Sequence, residues 1–319
     1  MTRALLSVVA PAYNEGANIE LLYRAIIDAV APCGLDLQLV LVDDGSRDDT
    51  RTRIKALAAS DPRVRLVALT RNFGHQAALL AGLYAADGDA VITMDCDLQH
   101  PPACIPAMVA AWRDGNQVVQ MVRGDTLDAG WAKRLFSDAF YRMINVLSET
   151  RVMAGAADFQ LLDRTALDSL LRLGDHRPFL RGMVAWLGYR RTLIDYVAPA
   201  RLHGRSSYSW GRMIGLAVDA ITAFSSKPLR IAFYTGVIVM GLCLAYLVFI
   251  AWSAFTGNVV QGWTSLMAAL LLLSAVQLLT IGIMGEYIGR IYDQTRNRPR
   301  FLVLPPDTHA AEKEMEAAP

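Results

Sequence analysis

The first part of the chain alternates two kinds of pattern. Leu5–Ala10, Leu37–Val42, Val64–Leu69, Ala90–Met94 and Val118–Val122 are short, nearly continuous apolar runs, most of them with β-branched residues. Between them, Ala17–Ala31, Asp49–Ala59, His75–Ala86 and Ile105–Arg113 mix apolar and polar positions over helical lengths. Continuous apolar strands alternating with helices predict an α/β domain whose mostly parallel sheet is covered on both faces. Further on, Trp131, Leu135, Phe136, Phe140, Ile144 and Leu147 oppose Lys133, Arg134 and Arg142 in an amphipathic stretch running to Glu149, and a second runs from Trp210 to Phe224. Each reads either as a core-facing helix or as a helix lying in a membrane interface.

The pattern changes late in the chain. Ile231–Phe255 holds no charged residue, and as a helix it would run roughly 38 Å against a hydrocarbon core of roughly 30 Å. Trp263–Gly285 is uncharged as well, and the short Gly257–Gly262 connection joins the two into an expected transmembrane hairpin. Lys227 and Arg230 precede it, Arg290, Arg296, Arg298 and Arg300 follow it, and the connection has no Lys or Arg. The positive-inside rule then places both termini in the cytoplasm. The apolar run near the N-terminus is too short for a signal peptide and lacks a small-residue cleavage pattern. The expected organisation is a cytoplasmic catalytic domain over 1–208, a juxtamembrane helix over 209–228, the hairpin over 229–289 and a basic tail over 290–319. The polar, Pro-containing stretch after Arg300 is expected to be disordered.

Composition adds little beyond this. The chain is 54% hydrophobic, and its formal charge of +1 gives no sign of a nucleic-acid partner. The four cysteines have neither C-x-x-C nor zinc spacing, which suits reduced packing residues. Cys96 is expected to point away from the aspartates that flank it. No G-x-G-x-x-G follows the first strand, and no Walker A motif is present.

The chemistry gathers at strand ends. The first strand runs into Pro11-Ala12-Tyr13-Asn14-Glu15, the second into Asp43-Asp44-Gly45-Ser46, and the fourth into Asp95-Cys96-Asp97-Leu98-Gln99. Open α/β sheets bind ligands at the carboxyl ends of their strands. Carboxylates as close as Asp95 and Asp97 repel unless a cation or a proton compensates them. Their hard oxygens, with Gln99, suit Mg²⁺ or Mn²⁺ already carrying phosphate oxygens. Together the acids point to a site for a metal-bound nucleotide.

The order VVAPAYNE, LVDDGS, LTRNFGHQAALLAG, ITMDCDLQHPP resembles the family 2 glycosyltransferases, which have the GT-A fold. The C-terminal hairpin ending GEYIGRIYDQTRNRPRF is similar to that of the polyprenyl-phosphate glycosyltransferases, a group that includes bactoprenol glucosyltransferases, aminoarabinose transferases and dolichol-phosphate mannose synthases. The likeness runs from about Leu5 to Phe301. It implies that Pro11, Tyr13, Glu15, Asp43 and Asp44 hold the nucleotide, and that Asp95, Asp97 and Gln99 hold the metal. Arg123, Arg134 and Ser137 would grip the acceptor phosphate, and Arg71 and His75 would lie near the sugar. Asp158, in GAADFQLLDR, matches the acid proposed as catalytic base. A phosphate monoester is largely a dianion at neutral pH, so Asp158 is read equally as an orienting group.

The resemblance further implies an inverting transfer from a nucleotide sugar, UDP in preference to GDP, to undecaprenyl phosphate at the cytoplasmic face of a bacterial plasma membrane. Glucose and an aminoarabinose derivative are the leading sugars, and the product would pass to a flippase for envelope-glycan, O-antigen or lipid A modification. Homo-oligomers are expected. The basic loop from Arg201 to Ser209 departs from the family pattern twice: Ser207 occupies a position that usually carries lysine, and Arg205 one that is often acidic. Arg201 and Arg205 are the cations left there for the diphosphate. A processive synthase is disfavoured because no Gln-x-x-Arg-Trp is present. An inactive relative acting as a membrane scaffold is the alternative from another class.

Overall fold

The computed structural model describes residues 3–124, 156–175, 179–197, 199, 227–256, 262–296 and 298–305. Both amphipathic stretches, at 131–149 and 210–224, lie outside these. The chain divides into two compact units, one built from residues 1–141, 151–208 and 298–319, the other from 142–150 and 209–297.

In the first unit, β1 (Leu5–Ala12), α1 (Gly16–Val30), β2 (Asp36–Asp43), α2 (Thr50–Ser60), β3 (Val64–Ala68), α3 (His75–Tyr84), β4 (Ala90–Thr93), α4 (Ile105–Arg113) and β5 (Val118–Arg123) follow the predicted alternation. Then come β6 (Ala156–Asp163), α5 (Arg164–Arg172), α6 (Leu180–Trp186) and β7 (Arg191–Tyr196). The seven strands form one sheet in the order β3-β2-β1-β4-β6-β5-β7. It is GT-A-like and parallel except for β6, which runs antiparallel to both β4 and β5. The strand pattern of the sequence did not include β6, because Asp158, Gln160 and Asp163 interrupt its apolar run.

Both sheet faces are covered, which is why the strands lack polar alternation. On one face Leu6, Val8 and Ala10 of β1 join the core of Ile19, Leu22 and Ile26 from α1, Ile54 from α2, and Ile105 and Met108 from α4. On the other, α3 is buried from Ala77 to Leu83. Its Gly82 is required there, since a Cβ would collide with Val9 and Val42.

The start of the segment after Arg300 corrects an expectation, while residues 306–319 lie outside the described ones. Leu302–Leu304 is ordered rather than disordered and extends the sheet beyond β3. Val303 forms an antiparallel bridge with Leu69, and Thr70 N–H donates to Leu302 O (3.0 Å) while Leu304 N–H donates to Ala68 O (2.7 Å). β3 would otherwise present an unpaired edge, and Leu302-Val303-Leu304 supplies the apolar strand that covers it.

The second unit contains two long helices, α7 (Lys227–Phe255) and α8 (Trp263–Thr295), which pack against each other. Both are long and apolar enough to cross a membrane. Their large side chains, including Phe233, Val248, Phe249, Trp252, Leu278 and Leu279, are exposed, the reverse of a buried core helix. The hydroxyls of Thr235 and Thr280 donate to carbonyls one turn back (2.8 and 2.9 Å), so neither O–H is left unpaired on the apolar surface. The second helix continues past the expected end, carried by charged and polar residues such as Glu286 and Arg290, which pair at 3.4 Å.

Candidate active site

Strand direction brings the site together. β1, β2 and β4 are parallel, so Ala12, Asp43 and Thr93 end on one edge of the sheet. β6 runs the other way, so its beginning meets that edge. Thr93 pairs with Gln160, and continuing that register sets Asp158 opposite Asp95. Arg123, at the end of the parallel strand β5, is exposed at the same edge.

The turns after β1 and β2 lock together. Asn14 N–H donates to Ser46 Oγ (3.0 Å), and Asn14 Oδ1 accepts from Arg47 N–H (2.8 Å), which holds Asn14 in a left-handed conformation. Pro11 is buried and Tyr13 exposed. Glu15 N–H donates to Thr50 Oγ1 (2.9 Å), and Glu15 Oε2 accepts from Asn18 Nδ2 (2.6 Å). Asp43, also buried, accepts from Ser46 N–H (3.0 Å).

Asp44 faces inward. Its two oxygens accept the Phe73 and Gly74 amides (2.7 and 3.0 Å) and so shape the loop leading into α3. Burial raises its pKa by more than the two amides lower it. Gly45 has φ +68°, and a Cβ there would collide with the Arg71 backbone, so only glycine lets the loops approach. Arg71 lies over the Phe73 ring, 4.5 Å from its centroid.

Asp95 sits between two histidines. Its backbone N–H donates to His100 Nδ1 (2.9 Å), so that nitrogen carries no proton. His100 is buried and stacked on Phe159 (4.9 Å), and burial depresses its pKa despite nearby carboxylates. The 3.6 Å approach of the same nitrogen to Asp95 Oδ2 is therefore not an ion pair. His75 Nε2 lies 3.5 Å from both Asp95 Oδ1 and Asp158 Oδ2. Burial opposes its protonation, but contact with Asp158 and the charge of Asp95 outweigh it and raise the pKa. Gln99 N–H donates to Asp97 Oδ1 (3.0 Å) across Leu98, whose φ of +60° marks a tight turn. Cys96 is buried on the core side, as expected, and burial drives its thiol pKa well up.

Among the described residues, no three His, Cys, Asp or Glu side chains form a ready metal cluster. The donor set still fits a hard divalent ion. Asp95 Oδ1 is buried with, among the described residues, no polar partner closer than His75 Nε2 at 3.5 Å, too long for a good hydrogen bond, and a buried carboxylate oxygen needs a close cation or donor. Mg²⁺ characteristically takes one or two carboxylates and completes its shell with substrate phosphates and water.

Asp158 is almost fully enclosed. Arg181 grips it with a fork, Nε to Oδ1 (2.7 Å) and Nη2 to Oδ2 (2.9 Å), and Gln76 Nε2 adds 2.8 Å to Oδ2. Burial alone would raise its pKa, but Arg181 and His75 hold it well below the usual carboxylate range.

Residues 7–171 match the model of Glycosyl transferase family 2, and residues 227–291 match that of the GtrB C-terminal hairpin. The chain is 37% identical over 298 residues to an uncharacterized glycosyltransferase, YkcC, of Bacillus subtilis (93% of this chain, 92% of the relative). It belongs to glycosyl transferase family 2.

A second relative is similar over as much of the chain. The bactoprenol glucosyl transferase of Shigella phage SfII is 36% identical over 299 residues, covering 93% of this chain and 97% of that one. Glucosyl-3-phosphoglycerate synthase from Mycobacterium tuberculosis, solved with phosphoglyceric acid, aligns over 69% of this chain and 79% of its own at 24% identity and a TM-score of 0.48. Membership of glycosyl transferase family 2 makes the protein a glycosyltransferase. Of the residues expected at its site, Pro11, Tyr13, Glu15, Asp43, Asp44, Asp95, Asp97, Gln99, Arg123 and Asp158 are described at or near one sheet edge. Arg134, Ser137, Arg201, Arg205 and Ser207 lie outside the described residues. Gln76, His100 and Arg181 were not read as site residues. Arg181 carried one signal: a cation in the first turn of a helix opposes the helix dipole, so it needs a partner elsewhere.

Proposed function

We propose that this glycosyltransferase moves a sugar from a UDP-sugar to undecaprenyl phosphate at the cytoplasmic face of a bacterial plasma membrane. The observation that carries the reading is the single sheet edge on which Asp43, Asp95 and Asp158 meet, with Asp95 Oδ1 buried and approached, among the described residues, only by His75 Nε2 at 3.5 Å. Asp95, Asp97 and Gln99 would hold a divalent cation, Mg²⁺ or Mn²⁺, whose chemistry there is to neutralise the leaving nucleoside diphosphate. Tyr13 and Glu15, at the turn after β1, would face the nucleotide.

In the reaction, a phosphate oxygen of the lipid forms a bond to the anomeric carbon as the bond from that carbon to the diphosphate breaks, with inversion. Arg123 stands exposed at that edge to receive an acceptor phosphate. The acceptor needs little deprotonation, and a carboxylate held as low as Asp158 is a weak base. Asp158 is therefore assigned an orienting role. The bactoprenol-named relatives support the acceptor, and the GtrB-type hairpin supports a membrane-anchored site that meets the lipid headgroup without extracting its chain. The basic flanks of the hairpin support a cytoplasmic catalytic domain.

A donor screen tests this. Purified protein, Mg²⁺ or Mn²⁺, a short polyprenyl phosphate and a panel of nucleotide sugars are incubated, and lipid-linked sugar is read by mass spectrometry. One polyprenyl-phosphate sugar, sharply reduced with Asp97→Ala at the same metal concentration, is the expected result. Nucleotide binding without product from any donor would overturn the reading.

A further inference from the structure

We propose that Arg181 is a positioning residue of the transfer reaction, acting through Asp158 rather than on the substrate; this rests on the functional reading above. Asp158 lies on β6, which runs antiparallel to both of its neighbours, 3% exposed, opposite Asp95. A buried carboxylate persists only with a partner, and its orientation is set by whatever donors surround it. Here the donors come from two helix starts. Arg181, in the first turn of α6, supplies both bonds of a fork and so fixes the plane of the carboxylate. Gln76, in the first turn of α3, donates to Asp158 Oδ2 (2.8 Å), while its own Oε1 accepts from Leu180 N–H (3.1 Å), the residue before Arg181. The amide of Gln76 is thus held at both ends.

The consequence reaches the reacting edge. His75, beside Gln76, places Nε2 3.5 Å from Asp158 Oδ2 and 3.5 Å from Asp95 Oδ1. A rotation of Asp158 therefore moves the neighbour of Asp95 as well. The location of Arg181 argues for this use over simple surface pairing. A cation in a helix's first turn is locally unfavourable, and Asp158 is the group that offsets it. Lysine would keep the charge but, as a point charge on a flexible stem, would not fix the carboxylate plane.

The test uses full-length protein in detergent or nanodiscs, with Arg181→Lys and Arg181→Ala compared with wild type. UDP binding is measured by titration, kcat and donor KM from the lipid-linked product, and folding by thermal melting. For Arg181→Lys, kcat falls by roughly 10- to 100-fold, the scale of an ångström-level misplacement. Its UDP affinity and donor KM stay within about twofold, the pattern of a lost transition-state interaction. Added methylguanidinium restores part of the Arg181→Ala rate and does nothing for wild type. An unchanged kcat in Arg181→Lys overturns the proposal. So does a loss that follows the unfolded fraction and that methylguanidinium leaves unrescued. If Arg181→Ala does not fold, the kcat-against-KM result for Arg181→Lys decides alone. Absence of any product from wild type would instead count against the proposed function, which keeps the two failures distinct.

Discussion

Replacing Asp44 by Asn tests whether this residue shapes the site or touches the nucleotide. In the structure each carboxylate oxygen accepts one amide, from Phe73 (2.7 Å) and Gly74 (3.0 Å). Asn can accept only one of them, and its NH₂ would face the other N–H. A hydrogen bond to a charged group contributes about 1.5–3 kcal/mol, and an unsatisfied buried amide costs about 1–3 kcal/mol. Removing the buried charge offsets part of this, because burial raises the Asp44 pKa. A net local loss of about 2–3 kcal/mol remains. Native-state hydrogen exchange reads it directly: the Phe73 and Gly74 amides should exchange roughly 30- to 150-fold faster, at about 1.4 kcal/mol per tenfold. The loop carries His75 and Gln76, so kcat should fall while UDP affinity changes little. Weaker UDP binding with unchanged exchange at these amides would refute the argument and make Asp44 a nucleotide contact.

Asp97→Ala should raise the Mg²⁺ or Mn²⁺ concentration needed for half-maximal activity by at least roughly tenfold, a shift that titration after chelator treatment would show. Asp61, on the loop before β3, has its pKa held well below the usual range, chiefly by hydrogen bonding to Arg63 against the effect of burial. A depressed carboxylate pKa contributes stability that is complete above the unfolded value of about 3.9 and lost as pH falls below it. Asp61→Asn should therefore melt lower at pH 7 yet lose less stability than wild type between pH 5 and pH 3, as thermal scans would measure. Leu304→Pro removes the N–H that donates to Ala68 O. It should cost about 1 kcal/mol, reading as faster exchange of the Thr70 amide beside it.

What the sequence determined by itself was whatever local pattern encodes. Five strands and four helices of the first unit, the two long apolar helices and the acidic strand ends at Asp43, Asp44, Asp95 and Asp97 were all legible. Continuous apolar runs have one stable use in a covered parallel sheet, and uncharged runs of bilayer length have few others. Tertiary structure decided which of these residues serve one another. β6 escaped detection because Asp158, Gln160 and Asp163 make its run look polar, yet its antiparallel direction is what brings Asp158 opposite Asp95. Asp44 carries the same motif as Asp43 but turns inward to hold a loop, a choice made by the Phe73 and Gly74 amides 29 and 30 residues away. The tail after Arg300 looked too polar to order, and only the unpaired edge of β3 gave Leu302–Leu304 a place to bind. Arg181 could be suspected from its helix position, but its partner lies 23 residues back on another element. Local sequence sets what each segment can be, while pairing across the sheet sets which carboxylates are charged, held and turned toward the reaction.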